Sequence, residues 1–170
     1  MKRILSIVLF LIISLGTVQA YANDVLQDEK QTIPVLIVNN AYDASPSNTK
    51  KKSEIPPIFV NKITTTLASK YSVIEIDNTF NIRDVASTEK ADILDIFKGT
   101  NYPASILIEI QPIDIKMYSD FCFIHVKILD LNSQKYLYNG KIWKDKNNYK
   151  IALNAISTEL TEVLKDAFKL

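Results

Sequence analysis

The segment Ile33-Pro34-Val35-Leu36-Ile37-Val38 is an unbroken apolar run, and it constrains the fold more than any other stretch of the chain. A strand with one wet face alternates polar and apolar side chains, so a strand without alternation has to be covered on both faces, as at the centre of a sheet flanked by helices. The fold is therefore expected to be layered around this strand.

The rest of the chain supplies the layers. Asn39 to Ser53 carries Asn, Asp, Ser, Pro and the run Lys50-Lys51-Lys52, a composition that cannot bury itself and predicts a surface loop. Pro56 and Pro57 suit the first turn of a helix, and Phe59, Ile63, Leu67 and Tyr71 then recur at four-residue spacing, which predicts a helix over about Ile55 to Lys70. Ser72 to Asp77 reads as a second strand, and Asn78 to Val85 fits no pattern. A second helix is expected to open at Ser87 or Thr88 and stop at Gly99, with Ala91, Leu94 and Phe97, or Ile93 and Phe97, facing inward. Ala104 to Gln111 alternates, with Ile106, Ile108 and Ile110 on one side and Ser105, Leu107, Glu109 and Gln111 on the other. One face of this strand is expected to be dry and the other wet. Phe121 to Leu131 and Lys135 to Lys144 form a hairpin around Asn132-Ser133-Gln134. Ala152, Ile156, Leu160, Val163, Leu164 and Ala167 then trace the stripe of a last helix from about Tyr149 to Phe168.

The order β-α-β-α-β-β-β-α gives three parallel strands joined by helical crossovers, followed by antiparallel strands joined by short turns. With right-handed crossovers and the apolar strand inside, this is an α/β (α+β) fold. It comprises a single three-layer domain with a five-stranded mixed sheet in the order 2-1-3-4-5. The expected division of the chain is a signal peptide over 1–22, a flexible lead-in over 23–32 and one globular domain over 33–170. In the first segment Met1-Lys2-Arg3 is followed by the apolar run Ile4 to Leu15 and by Ala20-Tyr21-Ala22, the pattern of a cleaved secretory signal. Cleavage is expected between Ala22 and Asn23, with a cut after Ala20 as the alternative. The run falls short of the ~20 residues a membrane-spanning helix needs, so export by the Sec route, to the periplasm rather than the medium, is expected without a retained span.

Composition removes several function classes. The 20 basic residues against 19 acidic ones, 18 of them Lys, are too evenly balanced for a nucleic-acid binder. Three glycines, Gly16, Gly99 and Gly140, supply no phosphate-binding loop, and no nucleotide cofactor is expected. One Cys and one His, Cys122 and His125, make neither a Cys/His metal site nor an internal disulfide, so no metal is expected. These two residues are three apart in a strand and fall on opposite faces, which separates any nucleophile from its base. Cys122 is expected to be buried with Ile124, Val126 and Ile128. The carboxylate pairs Asp92/Asp95 and Glu159/Glu162 have helical spacing but no imidazole partner, and read as solvated charge. No catalytic residue is assigned.

The stretch Ala91 to Ile110, a helix ending in Gly99-Thr100-Asn101-Tyr102 and running into Ala104-Ser105-Ile106-Leu107-Ile108-Glu109-Ile110, carries a resemblance. It is similar to the helix, "gly-ala-asp-tyr" turn and "val-leu-x-gly" strand of the amino-terminal domain of TolB. The related CsgG-type and penicillin-binding-protein-activator (LpoB-type) envelope domains share that pattern. Here Thr100-Asn101 stands for Ala-Asp, Pro103 follows the Tyr, and Ile108 or Glu109 stands where the Gly is usual. The resemblance implies a non-catalytic domain that docks onto a protein of the cell envelope.

Two surfaces are candidates for that contact. Tyr42, Asp43, Lys50, Lys51 and Lys52 leave the carboxyl end of the first strand beside Asp114, Lys116 and Tyr118 of the loop after the third, at the point where the crossovers diverge. The aromatics Phe121, Phe123, Tyr136, Tyr138 and Trp143 of the hairpin are expected chiefly to pack beneath the last helix. The competing class is a secreted small-molecule-binding or hydrolytic α/β domain, which needs a concave site with converging titratable groups.

Overall fold

The computed structural model describes the backbone of residues 30–40, 49–111, 115–116, 119–146 and 149–170, and the side chains of these except at 49–56, 115–122 and 145–150. The elements are β1 (Thr32–Asn39), α1 (Thr49–Leu67), β2 (Ser72–Ile76), α2 (Lys90–Ile96), β3 (Ala104–Ile110), β4 (Ile115–Lys116), β5 (Ser119–Asp130), β6 (Lys135–Lys146) and α3 (Tyr149–Phe168).

β1 pairs in parallel with β2 and β3, β3 pairs antiparallel with β5, and β5 pairs antiparallel with β6. The five long strands thus lie in the expected 2-1-3-4-5 order when numbered among themselves. A two-residue strand, β4, falls inside what the sequence reads as loop, pairing Ile115 with Asp120 and Lys116 with Ser119 at the start of β5.

β1 is apolar from Ile33 to Val38 because its two faces enter two different cores. Ile33 and Val35 join Ile106, Ile108, Ile124, Val126 and Ile128 beneath α1 and α3, which contribute Phe59, Ile63 and Leu67 from one helix and Ala152, Ile156, Leu160 and Leu164 from the other. Full burial of such side chains is worth roughly 1.5–3 kcal/mol each. Tyr71 meets Phe168 edge-on at 5.3 Å where both helices end. Leu36 and Val38 face the other way, into a smaller core with Val85, Ile93, Phe97, Leu107 and Leu129. That face is covered by α2, and Ile93 with Phe97 is the inward pair; Ala91 is exposed.

Three features of the elements differ in kind from the sequence reading. α1 begins at Thr49, so Lys50, Lys51 and Lys52 are helical rather than part of the loop, and Pro56 and Pro57 lie inside the helix. Lysine is a good helix former, so the polar run extends the helix backward, although Pro56 and Pro57, each without an N–H, cannot donate to the helix there. α2 is capped not by Ser87 or Thr88 but by Glu89, whose N–H donates to the Asp92 carboxylate at 3.3 Å. Ser87 and Thr88 are taken by the preceding turn, the Thr88 hydroxyl donating to the Asp84 carbonyl at 2.6 Å. The helix ends at Ile96 with Phe97 as its cap, three residues short of Gly99, whose φ of +78° a side chain would strain. Finally, β3 has no wet face: all seven residues are buried, Ser105 and Glu109 included.

Candidate functional site

The wet face is missing because residues 77–89 lie across it as a strap. Its backbone hydrogen bonds are local, Thr79 N–H to Asp77, Asn81 N–H to Asn78 and Thr88 N–H to Asp84 among them. Side chains fasten it to the sheet. Glu109, 1% exposed at the end of β3, accepts the Val85 N–H at 2.8 Å and the Asn40 amide at 2.8 Å, and is also bonded to the Gln111 amide. Asn40, just past β1, donates its other amide hydrogen to the Arg83 carbonyl at 2.7 Å. Lys127, 4% exposed on β5, donates to the carbonyls of Ala86 at 2.8 Å and Thr88 at 2.6 Å. Val85, pinned at the centre, is fully buried.

The fastening also tunes charge. Burial pulls the Lys127 ammonium below the usual lysine range, opposed by the nearby Asp84 charge. Hydrogen bonding, chiefly from the Ser87 N–H, holds the Asp84 carboxyl below its usual value. The buried Glu109 and Lys127 satisfy backbone donors and acceptors of a segment that belongs to neither helix nor sheet. Their work is to position the strap. A cleft of about 530 Å³ borders it, lined among others by Phe80, Ile82, Asp84, Thr88, Asp92 and Asp95.

Farther along the same face the sheet is bare. Trp143 on β6 is 56% exposed and stands opposite Phe123 of β5 in the ladder, and the Lys141 ammonium rests 3.5 Å from the centre of the Phe123 ring. His125 lies between them, half-buried and opposite Lys141. Trp143 is therefore not beneath the last helix, and the sequence reading is corrected here. Alternation sends Tyr138 and Ile142 to α3 and leaves Lys141 and Trp143 on the face that α2 is too short to reach. Tyr136 packs into the α2-side core with Leu129.

Among the other expected site residues, Tyr42, Asp43, Asp114 and Tyr118 lie outside the described residues. Lys50, Lys51 and Lys52 are placed by backbone in α1 and Lys116 in β4; their side chains, like those of Cys122 and Phe121, also lie outside. Asp92 and Asp95 are exposed on α2, Glu159 bridges Lys144 between α3 and β6, and Glu162 bridges Lys165 at 2.9 Å. Sequence reasoning missed Glu109 and Lys127 as a pair, since each alternates in its own strand as a solvent-facing residue would. Only the apolar Phe80, Ile82 and Val85 in the patternless segment hinted that something packs there.

No protein-family model and no curated protein matches the chain. Among solved structures it is similar to the PelC dodecamer from Paraburkholderia phytofirmans, at 10% identity over 81% of this chain and 87% of that one, with a TM-score of 0.50. TolB from Acinetobacter baumannii follows at 14% identity and a TM-score of 0.48 over 83% of this chain, which spans only 29% of the TolB chain. A lipoprotein from Neisseria meningitidis has 12% identity and a TM-score of 0.48 over 78% of this chain and 96% of its own. At these identities what is shared is the fold. No helix among the described residues is long and apolar enough to cross a membrane.

Proposed function

We propose that the chain is an exported, non-catalytic accessory protein of the cell envelope that acts by binding a protein partner. On this reading residues 1–22 are the signal, 23–32 a lead-in and 33–170 the working domain, released into the periplasm. The observation that carries the reading is how the ionisable groups and the large apolar ones are distributed. Glu109 and Lys127 are turned inward as fasteners, and Asp92, Glu159 and Glu162 are engaged in a helix cap and surface ion pairs. Phe80 and Trp143, by contrast, are turned outward. Binding surfaces concentrate their energy in such exposed aromatic anchors. The TolB and lipoprotein likenesses agree with an envelope setting. The segments that carry Tyr42, Asp43, Asp114 and Tyr118, with Lys50, Lys51 and Lys52 at the start of α1 and Lys116 in β4, are the surface proposed for the partner.

The test is capture from envelope extracts with the exported protein as bait. The Tyr42→Ala/Tyr118→Ala double variant should fold normally and lose most of the captured partner. Normal capture by that variant, together with loss of the cellular phenotype in His125→Ala or Asp92→Ala, would overturn docking in favour of catalysis. Amino-terminal sequencing of exported protein should begin at Asn23 or, with the alternative cut, at Tyr21; an intact Met1 on membrane-bound protein excludes release.

A further inference from the structure

We propose that the outer edge of β6 is a docking site for an extended, acidic segment of a partner protein, which joins the sheet as one more strand. The inference deepens the docking reading but concerns a different surface from the loops.

β5 is paired along both edges, by β3 and β4 on one and β6 on the other, whereas among the described residues no strand runs along the outer edge of β6. An open edge presents a row of backbone donors and acceptors to any extended chain. β6 is 12 residues long, and after the register shift opposite Ile128/Leu129 its ladder with β5 continues without irregularity from Tyr138 to Lys146. That is length enough for an added strand.

The side chains along the edge specify the visitor. β6 carries four lysines, at 135, 141, 144 and 146, against the single acid Asp145. Lys144 is bridged to Glu159 on the α3 side, but on the bare face no carboxylate among the described residues bridges Lys141. Its ammonium is instead steadied over the Phe123 ring, one ladder step from the exposed indole of Trp143. A strand laid alongside would place one residue opposite Lys141 and another, two positions away on the same face, opposite Trp143. A carboxylate at the first position meets an unbridged cation, and any side chain at the second covers apolar surface. A second copy of β6 would bring four more lysines to the same edge, so charge disfavours self-pairing and favours an acidic guest.

Trp143 is the only tryptophan in the chain, so its emission reports directly on the edge. The probe is an end-blocked peptide of the length of β6 alternating glutamate with threonine, titrated into the protein at low salt, with lysine replacing glutamate in the control. The glutamate peptide should shift Trp143 emission to the blue saturably and the lysine peptide should not. Lys141→Glu should weaken the glutamate peptide roughly tenfold and admit the lysine peptide, while Lys141→Gln, which leaves the strand uncharged at that point, should fall between. No saturable shift with the glutamate peptide, an equal response to both peptides, or a peptide-free shift that grows with protein concentration alongside dimer in sedimentation would each overturn the proposal. Loss of edge binding with partner capture intact removes the edge and leaves the loop reading standing; peptide binding without any captured partner does the reverse.

Discussion

On one face of the sheet, α1 and α3 lie across β1, β3, β5 and β6 and close the surface with side chains alone: Phe59, Ile63, Leu67, Ile156, Leu160 and Leu164 are fully buried. On the other, α2 has seven residues and offers little beyond Ile93 and Phe97, so a strap without regular structure completes the cover, and buried Glu109 and Lys127 hold it. The first face depends on shape and hydrophobic area. The second depends on a handful of charge-assisted hydrogen bonds, and where those stop, at β5 and β6, the sheet is bare. A short helix can close half a face only if the backbone beside it is fastened by polar groups, which are non-local and individually critical.

The largest expected effect lies on the helical face. Phe59→Ala empties a fully buried site against α3 and should cost about 3–5 kcal/mol, read as a lower urea midpoint with an unchanged slope. A loss under about 1 kcal/mol would mean that the α1–α3 layer is not the tight one and that the contrast between faces is false.

Glu109→Ala should come next, at about 2–3 kcal/mol, because it strands the buried Val85 N–H and takes one acceptor from the half-buried Asn40 amide. Unlike Phe59→Ala it should act locally first: amide exchange at Val85 should quicken well before exchange in β1 or β3. Uniform quickening throughout the sheet would show that the strap is not a separately fastened unit.

Lys127 sharpens the same point through pH. Its folded-state value is depressed by burial, so the folded protein sheds this proton before the unfolded chain does. The contribution of Lys127 to stability should therefore rise as pH climbs from the depressed value toward the usual 10.5 and level off above it. Tyr136 and Tyr138, raised by burial, act in the opposite sense above about pH 10, but they do so equally in a Lys127→Met variant. The difference between the two proteins across pH 7 to about 10.5 isolates the lysine. A flat difference would place the ammonium in water.

Much of the helical face was legible in the chain. Phe59, Ile63 and Leu67, and the stripe from Ala152 to Ala167, have the four- and three-residue spacing of buried helix faces, and the unbroken Ile33 to Val38 run required cover on both sides. The strap was not legible, for a physical reason. Glu109 is 24 residues from the Val85 it holds and Lys127 is 39 from Thr88, and a charged residue at an alternating position reads as solvated unless its partner is already known. The loop candidates around Tyr42 and Tyr118 rest on topology alone, since the strand ends are where crossovers diverge.

The smallest expected effect tests the bare part of the second face. Trp143 is the bulkiest residue on β6, and a hairpin aromatic is ordinarily expected to be core, so Trp143→Ala in a packed position would cost several kcal/mol. Here the indole is 56% exposed and stands opposite Phe123 in the ladder, so the same substitution should change stability by no more than about 0.5 kcal/mol in urea titrations. Should Trp143→Ala instead destabilise the protein as Phe59→Ala does, β6 is closed on both faces, and neither the asymmetry of the sheet nor a docking edge survives.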